Sequence, residues 1–309
     1  VSTAFVPKSR LRRKLTNHAA TVLVCAAFAA AMAPLIGLLW TVAANGAPHV
    51  SLQFLNTSMH NLTGVYDVAA DEGRGPLFGG IYHAIVGTVL ITGLATLISV
   101  PVGLLTAIYL VEYARRSALA TAIRFLVDVM TGIPSIVAGL FAFALFSVLA
   151  GPGTRSGLVA AVALSVLMIP LVVRTSEEML RLVPDDLREA AYALGAPKWK
   201  TIVTIVLPTA LSGITSGVTI AISRVIGETA PLVVTAGVAS GINYNVFSGW
   251  LTSLPVYIYN QVMRPLAPGA PDPSYDRAWA AAFVLIVIVM VLNFAARLFG
   301  RLIAPRGVR

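Results

Sequence analysis

"RLVPDDLREAAYALGAPKWKTIVTIVLPTA", residues 181–210, is a polar interval between two strongly apolar stretches of the chain. Pro184 followed by Asp185 and Asp186 reads as a helix start. Proline fits a first helical turn, and acidic side chains match the positive end of the helix dipole. Leu187, Ala190, Ala191 and Leu194 then recur at helical spacing and give a short helix one apolar face. Gly195 is placed to end that helix in a left-handed conformation. A second segment, from Lys198, runs into the next apolar stretch. The pattern predicts a helix–glycine–helix elbow over 184–200. Such an elbow either rests on lipid headgroups or packs its small-residue face into a groove on another protein. A face of Ala and Leu without a large aromatic wedge favours the protein groove.

Composition says what surrounds the elbow. Hydrophobic residues are 57% of the 309 and charged residues 11%, with a mean hydropathy of +0.84. A soluble domain carries roughly a quarter charged residues, so this chain buries its apolar surface in lipid. An all-α membrane protein of six transmembrane helices is expected, at about His18–Ala43, Gly80–Leu110, Ile123–Ala150, Gly157–Val173, Val203–Gly237 and Ala278–Phe299. The first stretch follows "KSRLRRK" and resembles a signal peptide, but its apolar run is too long, and it is read as a helix. The single cysteine, Cys25, can form no internal disulfide and reads as a small packing residue.

Charge sets an expected orientation. One side holds Lys8, Arg10, Arg12, Arg13 and Lys14 at the start, then Arg115, Arg116 and Arg124. The same side holds Arg174, Arg181, Arg188, Lys198 and Lys200 around the elbow, and Arg297, Arg301, Arg306 and Arg309 at the end. The other side has only Arg74, Arg155, Arg264 and Arg277. The positive-inside rule then places both termini in the cytoplasm of a multi-pass plasma-membrane protein, and the net charge of +9 marks topology rather than nucleic-acid binding. The expected organisation is a basic tail 1–17, a first transmembrane helix 18–43, an outer loop 44–79, a five-helix core 80–299 with the elbow 184–200, and a tail 300–309. Trp250, Tyr257 and Tyr259 suit the headgroup level of the second outer connection.

Within the elbow, "EAAYALGAPKWKTIVTIVLP" resembles the EAA motif of ABC-importer permeases: E-A-A, then G after three residues, then I-x-L-P after nine more. Glu189, Ala190, Ala191, Gly195, Ile205, Leu207 and Pro208 fall on that pattern. The resemblance implies a type I ABC importer permease whose elbow is a coupling helix docking on a cytoplasmic ATPase. "GGIYHAIVGTVLITGLATLISVPVGLLTAIYLVEYA" (Gly79–Ala114) and "TGIPSIVAGLFAF" (Thr131–Phe143) look like the phosphate-importer permeases. "RVIGETAPL" (Arg224–Leu232) and "LPVYIYN" (Leu254–Asn260) are similar to the PstA-type subunit rather than its PstC-type partner. The likeness runs from about Gly79 to Phe299. It implies a PstC-type second permease, a dimer of ATPase subunits and a soluble phosphate-binding protein as partners. It also implies alternating access, and links the arginine of "RVIGETAPL" to phosphate passage.

That arginine is the unusual residue. Arg224 lies sixteen positions beyond Pro208, roughly 24 Å of helix rise, and so sits inside the membrane. A charge there is costly and survives mainly where function requires it. Glu228 follows four residues later, where a continuous helix would let the two pair. A structural ion pair and an anion-transit site both fit. In the second reading the planar fork of Arg224 receives phosphate oxygens, Glu228 moderates it, and Thr229 lies on the same pathway at the helix break. Gly227 and Pro231 permit a helix break, and broken helices are where membrane carriers place their sites. Pro134 and Ser135 interrupt the third span, either as a plain kink or as donors to the pathway. Asp128 is expected to pair with Arg124, four residues earlier.

The chain lacks a G-x-x-x-x-G-K-[ST] phosphate loop, and His18, His49, His60 and His83 are scattered, so neither nucleotide hydrolysis nor a metal site is expected. ATP and magnesium are expected on the partner ATPase. Import of another oxyanion, such as sulfate or molybdate, fits Arg224 equally. A secondary anion carrier would also place such a pair at mid-membrane but has no use for the elbow. A membrane sensor would need signalling domains for which these short termini leave no expectation.

Overall fold

The computed structural model describes residues 10–114 and 117–303, and all regular structure among them is helical. Of the basic residues used to orient the chain, Lys8, Arg115, Arg116, Arg306 and Arg309 lie outside the described residues. In chain order the helices are α1 (Arg10–Gly46), α2 (Leu52–Asn56), α3 (Gly64–Asp71), α4 (Tyr82–Ile108), α5 (Ala118–Thr131), α6 (Ser135–Leu149) and α7 (Gly157–Arg181). They continue as α8 (Asp185–Ala193), α9 (Lys198–Thr201), α10 (Leu207–Ile226), α11 (Ala230–Thr235), α12 (Leu254–Met263) and α13 (Asp272–Ile303).

Five stretches are long and apolar enough to cross a membrane: Arg13–His49, Tyr82–Tyr113, Gly157–Arg181, Lys198–Ile226 and Asp272–Leu298. The third expected span, Ile123–Ala150, is not one helix. It is α5 and α6, bent by 107°. Pro134 has no N–H to donate into a continuing ladder, and its ring excludes the preceding residue from helical geometry. The chain therefore stops at Gly132 and restarts at Ser135. The fifth expected span, Val203–Gly237, also breaks: α10 ends at Gly227 and α11 restarts at Ala230.

The central element is α7. Buried Leu164, Met168 and Val172 on it pack with Ile91 and Ala95 of α4, Ala221 and Val225 of α10, and Leu232 of α11. Small residues set the spacing. A β-carbon on Gly103 would lie 2.7 Å from Val172 Cγ1, and one on Gly217 would lie 2.6 Å from Thr175 Cβ. Such close approach is what holds helices together where lipid tails remove the hydrophobic drive. Hydroxyls inside the bundle turn back on their own helix: Thr88 donates to the Ala84 carbonyl at 2.8 Å, and Ser165 to Ala161 at 2.7 Å. By contrast α1 is almost wholly exposed and rests along α13, where Gly46 meets the Trp279 carbonyl.

Two π-helical turns interrupt long helices, at Tyr109–Tyr113 and Ile202–Val206. The second has a clear cause: Pro208 cannot donate to the carbonyl four residues back and its ring pushes that turn open. The outer segment 44–79 folds as a short turn with α2 and α3. Its Phe54 and Met59 pack with Ile81, Leu254 and Tyr257, so the segment read as an outer loop contributes to a core.

Candidate functional site

Two regions carry the chemistry that the sequence singled out: the break at the end of α10 and the elbow at the other end of the bundle.

Arg224 occupies the last turn of α10, and Gly227 caps the helix with φ −91° and ψ −1°. The chain then leaves the helix through Glu228 and Thr229 and enters α11, with Pro231 in its first turn. Arg224 is exposed and Glu228 half-buried in the isolated chain. The expected Arg224–Glu228 pair is absent, and neither side chain has a hydrogen-bond or ion-pair partner among the described residues. The reason is local. Pairing at i, i+4 needs an unbroken helix, and Gly227 ends it between the two. Arg224 thus presents an exposed guanidinium that no carboxylate among the described residues neutralises.

The second break lies against the first. A β-carbon on Gly139, one turn into α6 from Ser135, would sit 2.6 Å from Pro231 Cα. Glycine lets α6 and α11 touch backbone to backbone, so Pro134 and Ser135 share a neighbourhood with Gly227–Pro231. Ser135 is half-buried and Pro134 exposed. Ser223 is spent on its own helix, donating to the Thr219 carbonyl at 2.9 Å.

Asp128 does not pair with Arg124. Arg124 Nε donates to Glu177 Oε1 at 2.9 Å and its Nη2 to the Leu110 carbonyl at 3.1 Å. Asp128 is bound instead by Arg174 of α7, and Glu177 also accepts from Arg181 at 2.5 Å. Both partners come from the facing helix, because α5 lies alongside α7 and its charged edge finds cross-helix partners closer than its own. These residues edge a cavity of ≈ 250 Å³ at the elbow end of the bundle.

At the elbow, α8 begins after Pro184, and Gly195 has φ +79°, the left-handed geometry that glycine tolerates. The N–H groups of Gly195 and Ala196 return to the carbonyls of Tyr192 and Ala191, closing the helix end. Of the expected apolar face only Ala191 is buried. Leu187, Ala190 and Leu194 face outward beside Glu189, with Leu194 89% exposed and Trp199 63% exposed. Leu207 and Pro208 follow the widened π turn and carry α9 into α10 without a break.

The residue that seats the elbow escaped the sequence reading. Arg188, on the inner face of α8, is buried. Its Nε and Nη2 reach Glu112 Oε1 at 3.1 and 3.0 Å, its Nη1 the Val183 carbonyl at 2.6 Å, and its Nη2 the Leu180 carbonyl at 2.9 Å. Lys198 Nζ donates to the Glu112 carbonyl and lies 4.9 Å from the Tyr113 ring. Arg188 and Lys198 thereby grip the π turn that ends the α4 span. The available signal was a charge three residues before Ala191, on the inner face of α8.

A second clasp lies at the opposite end. Arg277 and Asp67 form a bidentate pair, Nη2–Oδ2 2.5 Å and Nη1–Oδ1 2.8 Å, both fully buried. Ser274, Gln261 and the Phe78 carbonyl take the remaining donors and acceptors. Among the described residues no cluster of side chains is suited to a metal ion.

The family described as binding-protein-dependent transport system inner membrane component matches residues 99–308. The chain is 46% identical over 301 residues to "Phosphate transport system permease protein PstA 1" of Mycobacterium tuberculosis H37Rv, covering 97% of this chain and 92% of the relative. It is 38% identical to PstA of Yersinia pestis, covering 94% and 92%. Among solved structures it is similar to a chain of a bacterial alginate ABC transporter, with TM-score 0.62, 16% identity, and coverage of 96% and 98%. It is also similar to the MetNI methionine ABC transporter in an inward-facing conformation, with TM-score 0.56, 20% identity, and coverage of 73% and 95%. At those identities the structural likeness speaks for the fold alone.

Proposed function

The chain belongs to the family of binding-protein-dependent transport system inner membrane components, alongside its PstA phosphate-transport permeases, and from that membership we propose that it forms half of the pathway of an ATP-driven inorganic phosphate importer. The observation that carries the substrate class is Arg224, an unneutralised guanidinium at a helix break within the membrane. A guanidinium matches two oxygens of a tetrahedral oxyanion at once, and a single such group without an enclosing cage binds weakly enough for the ion to leave. Glu228, Thr229 and Ser135 line the same broken region and help pass a protonated phosphate, whose own hydroxyl can donate to Glu228.

The exposure of Arg224 in a single chain supports a second, PstC-type permease as the opposite wall. The outward Leu187, Ala190, Leu194 and Trp199 support docking of α8 and its flank into a cleft of an ATPase dimer, which supplies ATP and magnesium. A soluble phosphate-binding protein delivers the ion at the other end. The concentration of basic residues in the segments at the elbow end supports a cytoplasmic orientation for that end and both termini. Closure of the ATPase dimer then moves the elbow, and the two permeases rock between outward- and inward-open states.

Uptake by the four components in proteoliposomes tests the substrate. ATP-dependent accumulation of phosphate in preference to sulfate is the expected result. Preference for sulfate would overturn the substrate assignment and leave the coupling argument standing.

A further inference from the structure

Most arginines among the described residues of the folded core are neutralised. Arg124, Arg174, Arg181, Arg188 and Arg277 each meet a carboxylate. Among the arginines whose side chains are described, and apart from Arg13 and Arg297 near the chain ends, three do not: Arg155, Arg224 and Arg264. Arg224 belongs to the transit site. The other two meet in one place.

Arg155 and Arg264 edge a cavity of ≈ 330 Å³ together with Gly237, Trp250, Tyr259 and Asn260. No acidic residue lines it. Arg155 Cζ sits 5.6 Å from the centre of the Phe143 ring of α6, a stacking contact that orients the guanidinium and leaves its charge unpaired. Gly237, with φ +78°, lets the Trp250 indole lie against the backbone, where a β-carbon would come within 2.9 Å of the ring. That contact makes a firm wall. The Tyr259 hydroxyl and the Asn260 amide add neutral donors beside the two cations.

The position fits an entry point. Arg155 precedes the first turn of α7, and α7 runs about 37 Å before reaching the elbow, so the cavity lies at the end remote from the coupling helix. Val233 and Val234 of α11 also line it. α11 is six residues, about 9 Å of rise, and its other end is the break that carries Glu228 and Arg224. One short helix therefore separates the two-arginine cavity from the single-arginine transit site.

We propose that the Arg155–Arg264 cavity is an entry site for a phosphate-type oxyanion, which holds the ion at the remote end of the bundle before it moves along α11 to Arg224. The proposal rests on the phosphate reading above for the identity of the ion. Two unpaired guanidiniums with no carboxylate favour an anion, and the exposure of Arg264 to solvent keeps the hold weak enough for transfer. The same chemistry would accept a lipid headgroup phosphate, so the test separates the two.

The test uses the assembled, nucleotide-free complex in discs of uncharged galactolipid, with Arg224→Gln present to silence the transit site, and measures equilibrium binding of radiolabelled inorganic phosphate. Phosphate binding is expected to persist in Arg224→Gln and to weaken about tenfold or more when Arg155→Gln and Arg264→Gln are added, the loss of two charge-assisted contacts. In an otherwise native complex the double variant is expected to slow uptake at low concentrations of loaded binding protein and to approach the native rate at saturation. Undetectable binding in Arg224→Gln, or binding unchanged by the double variant, overturns the proposal. So does an effect of the double variant seen only as lost stabilisation by phosphatidylglycerol, which assigns the cavity to a headgroup. Weakened docking of the phosphate-free binding protein assigns it to a protein contact instead. A native complex that binds phosphate here but imports none would fault the transport reading and spare this site.

Discussion

Arg188→Gln is expected to leave ATP hydrolysis running while phosphate uptake per ATP falls by about tenfold or more, because the elbow loses its grip on the rest of the permease. The native guanidinium has four partners at once: the Glu112 and Asp185 carboxylates and the Val183 and Leu180 carbonyls. Both charges are nearly inaccessible, with side chains 6% and 3% exposed. Removing one member of such a pair strands the other and costs about 3–5 kcal/mol. Here that cost falls mainly on the seating of α8, since the contacts of Arg188 reach only the last turn of α7, at Leu180, and not the central cluster around Leu164, Met168 and Val172. A push on the outer face of α8 would then move the helix without moving the α4 span. Arg188→Lys is expected to recover only part of the coupling, because an ammonium cannot reach the carboxylate and both carbonyls in a planar fork. Uptake per ATP that matches the native complex in Arg188→Gln would show that force passes elsewhere.

Asp67→Asn is expected to lower the stability of the solubilised chain by about 3–5 kcal/mol, since it strands Arg277 inside protein. The pair joins α3 to α13, and through Gln261 it also touches α12. Thermal unfolding in detergent and limited proteolysis of the 44–79 segment measure the effect, with cleavage rising before the bundle melts. Replacing both residues by leucine is expected to restore much of the loss, because two desolvated charges vanish together. A single variant within about 1 kcal/mol of native, the usual value of an exposed pair, would mean that water reaches this site.

The class and the helical elements were legible because they rest on local signals. Hydropathy marked the apolar stretches, and Gly195 after an acidic helix start marked the elbow. Pro134, Gly227 and Pro231 marked the places where a ladder cannot continue. Partners were less legible, since they depend on which helices meet. Glu112 and Arg188 are 76 residues apart, and Asp67 and Arg277 are 210 apart. No periodicity connects them. Two pairs proposed at i, i+4 failed for different reasons. Arg124 and Asp128 both found nearer partners on α7. Arg224 and Glu228 were separated by Gly227, so the feature that announced the break also removed the pair. That leaves the arginine of the proposed site without a carboxylate partner among the described residues and so free to attract an anion.

The proposed import depends on this unpaired arginine receiving the anion as it crosses. ATP-driven phosphate uptake by proteoliposomes containing the full complex, native against Arg224→Gln, tests it most directly. Uptake is expected to fall to background while the four components still assemble and hydrolyse ATP. Uptake at the native rate in an intact Arg224→Gln complex would contradict it and make the arginine structural.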